Sequence, residues 1–318
     1  MPLAQVAAVC QAYGVPKCHV CSSTRSEPVL CAIGGELHRC HACGFVYLAS
    51  WEASLEQTDE LYDYYDAIDE ETSKRRHSEE NRKRQRALLL RLGTHTRGRT
   101  LLDVGCGDGQ LLSTAADECW DATGIDLSSG AIRLCRAKGL RASNTDFFDA
   151  SLDARRFDVI IMSELLEHVP APQRFMERAE ALLEEGGVLY LTTPNFGSLA
   201  RRLLAEDWSV IHPEHIGYFE RDTLQTMAAR STGLRALDIE ALNIAPSTFV
   251  AWMKRRRSRG PGEAAATHRE TREGVDQRLR ALLGRSRALG ISKSLVNRAV
   301  STAGLGDTLV AWLQKPPA

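Results

Sequence analysis

The stretch LLDVGCGDGQLL, Leu101 to Leu112, constrains the fold more than any other part of this chain. The apolar run Leu101 to Val104 reads as a short buried strand. Gly105, Gly107 and Gly109 form a tight turn, and Gln110 to Cys119 reads as the helix that follows. Glycine at these positions lets the backbone approach a bound ligand closely and adopt positive φ without a Cβ penalty. A second apolar run ends at Asp126, 23 residues after Asp103. A carboxylate placed there can accept hydrogen bonds from a ribose diol, so the economical reading of the unit is a nucleoside site.

The GxGxG pattern is shared in part with the GxGxxG of dinucleotide enzymes. Asp103, just before the loop, separates the two, because an acid there suits a cationic amino group better than a pyrophosphate. The stretch resembles motif I of the class I S-adenosylmethionine (AdoMet) methyltransferases. Four further stretches resemble that family in its own order: NTDFFDA (144–150), FDVIIMSELLEHV (157–169), LLEEGGVLYLTTPN (182–195) and PEHIGYFERDTL (213–224). The resemblance implies a Rossmann-like α/β fold, a doubly wound seven-stranded sheet with helices on both faces. It implies AdoMet across the C-terminal edge of strands one, two and four. It also implies cofactor contacts from Asp103, Gly105, Cys106, Gly107, Gly109, Asp126, Leu127, Ser163, Asp146 toward the adenine amine, and Phe147 along the ring.

Ahead of this unit, Cys18, Cys21, Cys40 and Cys43 form two CxxC pairs separated by 18 residues. Two such knuckles supply four thiolates to a tetrahedral Zn²⁺, and the intervening VLCAIGGELHRC suits a hairpin. The pattern resembles a zinc ribbon. Four cysteine ligands leave no open position, so this metal is expected to be structural. His19, His38 and His41 are expected at the surface, and Cys31 as a small apolar hairpin residue.

The segment SELLEHVP follows the expected fourth strand, beside the crevice where chemistry occurs in this architecture. One helical turn would put Glu164 and His168, four residues apart, on one face, with Glu167 beside them. Three readings stay open. His168 or His215 is a general base for an acceptor hydroxyl. Alternatively Glu164, Glu167, His168 and His215 hold a divalent metal that lowers the hydroxyl pKa, a pattern similar to ubiquinone-pathway O-methyltransferases and to methyltransferases acting on the terminal ribose of small RNAs. In the third, Glu164 and His168 only cap and orient the segment. The insertion RRLLAEDWSVIHPEH brings Trp208 and His212, which either line a substrate pocket or seal a loop.

The domain reading is a zinc ribbon over 1–50, a connecting helical or lid segment over 51–78 bearing Tyr62, Tyr64 and Tyr65, and a methyltransferase domain over 79–318. The basic run before the first strand reads as a helix, with Ala87, Leu88 and Leu92 near helical spacing. A helix is expected over Arg221 to Ser231. LRALDIEAL and DTLVAWLQK are expected to form the antiparallel end of the sheet, around a helical insertion at about 246–306. A formal net charge of −1 gives no global bias toward nucleic acid, and the basic run KRRRSRGPGE reads as a solvated loop. No apolar run is long enough to span a membrane and no secretory signal pattern is evident, so the cytoplasm is the expected location. Together these features point to an AdoMet-dependent methyltransferase that O-methylates a small-molecule or saccharide hydroxyl with a histidine base. RNA is the alternative acceptor, and a non-catalytic AdoMet-binding regulatory or assembly protein is the alternative of another class. Neither the oligomeric state nor the acceptor is legible in the sequence.

Overall fold

A computed structural model describes residues 17–32, 35–51, 78–242 and 300–317. The connecting segment with its three tyrosines, and nearly all of the insertion with its basic run, lie outside the described residues. At the N-terminal end three short strands, β1 (Ser26–Ala32), β2 (Gly35–Cys40) and β3 (Val46–Leu48), form an antiparallel meander. The first long helix is α1 (Glu79–His95), capped by the Ser78 hydroxyl and opened by Glu79 and Glu80, whose charges favour a helix N-terminus. Its inward stripe is Gln85, Leu88, Leu89 and Leu92, while Ala87 faces outward. Leu88 and Leu92 are thus on the inward face as their spacing suggests, and Ala87 is not.

Alternating strands and helices follow: β4 (Thr100–Val104), α2 (Gln110–Asp117), β5 (Asp121–Asp126), α3 (Ser129–Ala137) and β6 (Ala142–Asn144). Then come β7 (Phe157–Ser163), α4 (Pro172–Leu182), β8 (Leu183–Pro194) and α5 (Leu199–Leu204). The two-residue strand β9 (Gly217–Tyr218), α6 (Arg221–Ser231), β10 (Arg235–Leu242) and β11 (Thr308–Gln314) complete the described elements.

Seven of the strands form one sheet in the order β10-β11-β8-β7-β4-β5-β6. The five from β4 to β8 run parallel, and β11 is antiparallel to both β8 and β10. The parallel strands are covered on both faces, which explains why Val159 to Met162 is one unbroken apolar run with no exposure. On one face Leu102, Ile160 and Leu191 pack with α4 and α6 residues such as Met176 and Leu224, and on the other Leu101, Val159 and Val188 pack with Leu89 and Leu92 of α1. The chain leaves β4 toward β5 and β6 on one side and later fills β7 and β8 on the other. The β4/β7 boundary is therefore the topological switch point, where a crevice opens beyond the strand ends. The expected doubly wound seven-stranded fold is the observed one. Among the described residues no helix is long and apolar enough to cross a membrane.

A second sheet has the order β1-β2-β3-β9. Its fourth strand comes from the far part of the chain, with Val46 opposite Tyr218 and Tyr47 opposite Gly217. The contact continues into a core of Leu37, Val46 and Leu48 against Phe196, Leu204, Trp208 and Tyr218. Trp208 is thus an interior residue sealing the insertion against the N-terminal meander. Its burial answers the alternative left open by sequence in favour of the seal.

Candidate active site

The glycine turn is shaped as its sequence requires. Gly105 has φ +76°, Gly107 +52° and Gly109 +79°. A Cβ on Gly109 would lie 2.8 Å from Cys135 Sγ and 2.7 Å from Leu140 Cδ1, so that position must stay bare. The loop is tied to the next strand by Asp126, whose Oδ2 accepts the Gly107 N–H at 2.8 Å and whose Oδ1 accepts the Ser128 N–H at 2.8 Å. Each carboxylate oxygen keeps a second lone pair, so these bonds leave capacity for a diol. Burial nevertheless raises the Asp126 pKa above the usual carboxylate range, and the two amides oppose that shift.

Asp103 is 4% exposed. Burial, with the charge of Asp126 adding to it, pushes its pKa to about 7. A buried acid of this kind at the head of a crevice is complementary to a cation. The crevice encloses about 250 Å³ and is walled by Asp103, Gly105 to Asp108, Gln110 and Ser163, with Gln85 and Leu88 of α1 and Tyr190 of β8 opposite. The sequence reading placed none of the last three at the site. Gln85 and Leu88 carry the 3-residue spacing of a helical face, but nothing local says that α1 folds back over the loop.

Cys106 contributes to the wall while its thiol packs inward, 2.7 Å from where a Cβ on Gly124 would stand. Leu127 is half exposed beside Asp126. Asp146 is exposed and its Oδ1 accepts the Phe148 N–H at 2.7 Å, which fixes that turn. Phe147 points into the core and stacks on Phe175 at 5.7 Å, whereas Phe148 is the exposed ring of the pair. The aromatic surface at this end of the structure is therefore Phe148 rather than Phe147.

From Ser163 in the crevice wall the chain leaves β7 into Glu164, which has φ +52°. Its N–H donates to the Thr192 carbonyl at 2.9 Å, and only Leu166–His168 forms a turn, of the 3₁₀ type. The segment is not the helical turn that the Glu164 and His168 spacing suggested. A non-glycine residue in this backbone region is held there at a cost of about 1–3 kcal/mol by its surroundings, and such positions concentrate at functional sites.

The residues brought together are Glu167, His168 and His215, one ligand atom from each lying within 4.8 Å of the others. Glu167 is 1% exposed, its Oε2 accepts from Thr193 Oγ1 at 2.9 Å, and its Oε1 is buried with no hydrogen-bond partner. Burial and the neighbouring Glu164 carboxyl hold its pKa well above the ordinary range. The His168 Nδ1–H donates to the Glu214 carbonyl at 2.9 Å and the His215 Nδ1–H to the Val210 carbonyl at 2.8 Å. A carbonyl only accepts, so in each neutral ring the proton sits on Nδ1 and Nε2 carries the lone pair. The two imidazoles meet edge to face with centroids 4.6 Å apart, and His212 lies against His215 at 3.8 Å.

The four ribbon cysteines also converge, with Cys18 Sγ 3.7 Å from Cys43 Sγ and Cys21 Sγ 3.4 Å from Cys40 Sγ. A tetrahedron of thiolates at the usual Zn–S distance has edges of about 3.8 Å, so the group has the size for one Zn²⁺. Burial raises the Cys21 pKa to about 11, with the neighbouring cysteines adding to it. Two of the nearby histidines depart from the surface position expected of them. His38 is buried between Ser26 Oγ and Glu36 Oε2, and His19 is packed among Phe45, Tyr47 and Trp51. Cys31 is exposed.

A glycine-turn crevice at the switch point of a doubly wound sheet, with the buried Asp103 in its wall and Asp126 tied to its turn, defines a nucleoside-cofactor enzyme of the α/β class. A sequence family described as a methyltransferase domain matches residues 75–238, and the chain belongs to it as a class I AdoMet-dependent methyltransferase. The chain is 32% identical over 167 residues to a ubiquinone biosynthesis O-methyltransferase of Coxiella burnetii (strain RSA 331 / Henzerling II). That alignment covers 47% of this chain and 69% of the relative. It is 30% identical over 166 residues to a protein of the same description from Paraburkholderia xenovorans (strain LB400), covering 46% and 69%. Among solved structures, the plantazolicin methyltransferase BamL in complex with a triazolic desmethylPZN analog and SAH matches the fold. The TM-score is 0.50 at 16% identity, over 83% of this chain and 97% of that one.

Proposed function

We propose that this methyltransferase O-methylates a small-molecule hydroxyl, and that Glu167, His168 and His215 activate that hydroxyl with a divalent cation. The convergence of these three side chains carries the reading. Two imidazoles present Nε2 lone pairs, and a buried carboxyl has one unpartnered oxygen. Two imidazoles and a buried carboxyl within reach of one another suit a cation, which on binding would take the place of the proton that burial and Glu164 favour on Glu167, and a ligating histidine characteristically donates its other N–H to a carbonyl. The donor set of two histidines and a carboxylate, all hard or borderline, fits a first-row or magnesium-like divalent ion. A divalent ion held there supplies Lewis acidity that lowers the pKa of an acceptor hydroxyl. The same tautomers also suit an unaided histidine base, His215 or His168, which is the second reading.

For the cofactor, Asp103 holds the amino group, the glycine turn admits the methionine part, and Asp126 holds the ribose. AdoMet supplies an electrophilic methyl on its sulfonium. The protein's work is to hold the acceptor oxygen in line with that methyl and to take its proton, because displacement is limited by approach and deprotonation. Ser163 walls the cofactor crevice and leads directly into Glu164 and Glu167, so the two sites are joined by five residues of chain. The similarity to ubiquinone biosynthesis O-methyltransferases supports oxygen as the nucleophile and a small molecule as the acceptor. The ribbon cysteines hold a structural Zn²⁺ in this reading. RNA, a saccharide hydroxyl and a non-catalytic role remain the rivals.

The test incubates the purified chain with methyl-labelled AdoMet and a fractionated cell extract, with Mg²⁺ or Mn²⁺ added or withheld. Label in the small-molecule fraction that depends on the added cation supports the proposal, while cation-independent label there supports the histidine base. Label in RNA, in the glycan fraction or in no fraction contradicts it in favour of the corresponding rival.

A further inference from the structure

We infer that the cysteine ribbon is a brace for His215, with Arg39 as the positioning residue that couples the two; this rests on the reading of His215 given above. The ribbon sheet does not stand apart from the acceptor site. Its edge strand β3 is completed by β9, which begins two residues after His215. On the ribbon side, the Leu48 N–H donates to the Ile216 carbonyl at 3.0 Å. On the opposite side, the Ile216 N–H donates to the Glu167 carbonyl at 2.9 Å. One residue, Ile216, is therefore hydrogen-bonded to the ribbon and to the Glu167 backbone at once.

Arg39 fixes the next part of that segment. It precedes Cys40, and its guanidinium makes a two-pronged pair with Glu220, Nη1 to Oε2 at 3.0 Å and Nη2 to Oε1 at 2.9 Å. Nη1 also donates to the Gly44 carbonyl at 3.1 Å, in the turn whose Gly44 N–H donates to the Cys40 carbonyl at 2.9 Å. The second cysteine knuckle and residue 220 are thereby clamped by one planar group, a geometry that lysine cannot reproduce. Below it Phe45 meets Phe219 edge to face at 5.0 Å, and both rings are fully buried. Gly217 is bare because a Cβ there would lie 2.8 Å from Phe45 Cζ. Residues 216 to 220 are thus held by the ribbon at nearly every position, and His215 is the residue they tether.

The brace predicts that loosening the ribbon contact disturbs His215 and leaves the cofactor crevice alone, since no ribbon residue walls that crevice among the described residues. The experiment records imidazole ¹H–¹⁵N spectra of the full chain with Zn²⁺ bound. Transfer from methyl-labelled AdoMet to the extract fraction labelled by the wild type, and AdoMet affinity by calorimetry, are measured on the same samples. His215→Ala identifies the His215 Nδ1–H signal. In Arg39→Met that signal is expected to broaden away, transfer to fall about tenfold, and AdoMet affinity to stay within twofold. The reversed pair, Arg39→Glu with Glu220→Arg, is expected to restore both readouts, and Gly217→Ala to reproduce the Arg39→Met effect. A wild-type Nδ1–H signal and transfer rate in Arg39→Met would overturn the brace. A parallel loss of AdoMet affinity would do the same, by showing general unfolding. If His215→Ala itself transfers methyl at the wild-type rate, the role of His215 falls, and the brace is decided by the Nδ1–H signal alone.

Discussion

The acids and glycines read as holding the cofactor come from one strand, its glycine turn and the end of the next strand, whereas the acceptor group joins two distant segments and leans on the N-terminal meander. Asp103, the turn and Asp126 are close in sequence, and Asp126 is bonded to the turn through the Gly107 amide. Glu167 and His168 meet His215 where the chain entering β9 lies between the ribbon and the Glu167 backbone, and the His168 ring also bonds the Glu214 carbonyl. A site of the first kind is formed once its own supersecondary unit forms. A site of the second kind depends on long-range contacts, and is the one that distant changes can misalign.

The comparison can be broken by variants that damage one end alone. The largest effect belongs to the acceptor end. His215→Ala or His168→Ala is expected to lower methyl transfer by about 10²–10⁴-fold, the range for a lost acid–base or activating group, with AdoMet affinity within twofold. Radiolabel transfer and calorimetry on one preparation decide it. Next is Asp126→Ala, which removes a charged acceptor for the ribose and the tie to the Gly107 amide. At about 1.5–3 kcal/mol for each charged hydrogen bond, AdoMet affinity should fall about 10²-fold, and an unchanged dissociation constant would remove Asp126 from the site.

A smaller effect sharpens the cofactor end. Asp103 has a folded-state pKa of about 7. A cation bound beside it favours its ionised form, so binding at low pH must displace a proton and binding at high pH need not. Affinity for AdoMet is therefore expected to rise about tenfold from pH 6 to pH 8, and Asp103→Asn to flatten the profile. The sign for the ligand-free chain is opposite. An acid whose pKa is raised on folding binds more protons folded than unfolded between about 4 and 7, so its contribution to stability is lost as pH rises through that window. Melting temperatures with and without AdoMet check this. The smallest effect is expected from Tyr190→Phe and Gln85→Ala on the crevice wall, about two- to fivefold in AdoMet affinity, the size of one neutral hydrogen bond.

The same contrast explains what was legible in the sequence. The glycine turn, Asp126, the paired cysteines and helix α6 announce themselves by local spacing, because each is made within one unit of chain. The acceptor end hides its construction. Strand β9 has two residues and no periodicity to read, and its partner β3 lies about 170 positions earlier. Glu164 was placed on a helical turn because its spacing to His168 permits one, yet the bond from its amide to Thr192 draws it into the left-handed region. Phe147 and Phe148 are adjacent and equally apolar, and both rings meet Phe175, so no local pattern says which is interior. His38 is buried against its own hairpin and His19 is packed against Trp51, which no local pattern encodes.

The central claim is that binding the cofactor and activating the acceptor are separable. It is tested most directly by measuring methyl transfer against AdoMet concentration in Asp126→Ala and His215→Ala side by side, on the extract fraction that the wild type labels. The account predicts that saturating AdoMet returns Asp126→Ala to near the wild-type rate and leaves His215→Ala at least 10²-fold slow, as a lost activating group should. Recovery of both variants, or of neither, would contradict it.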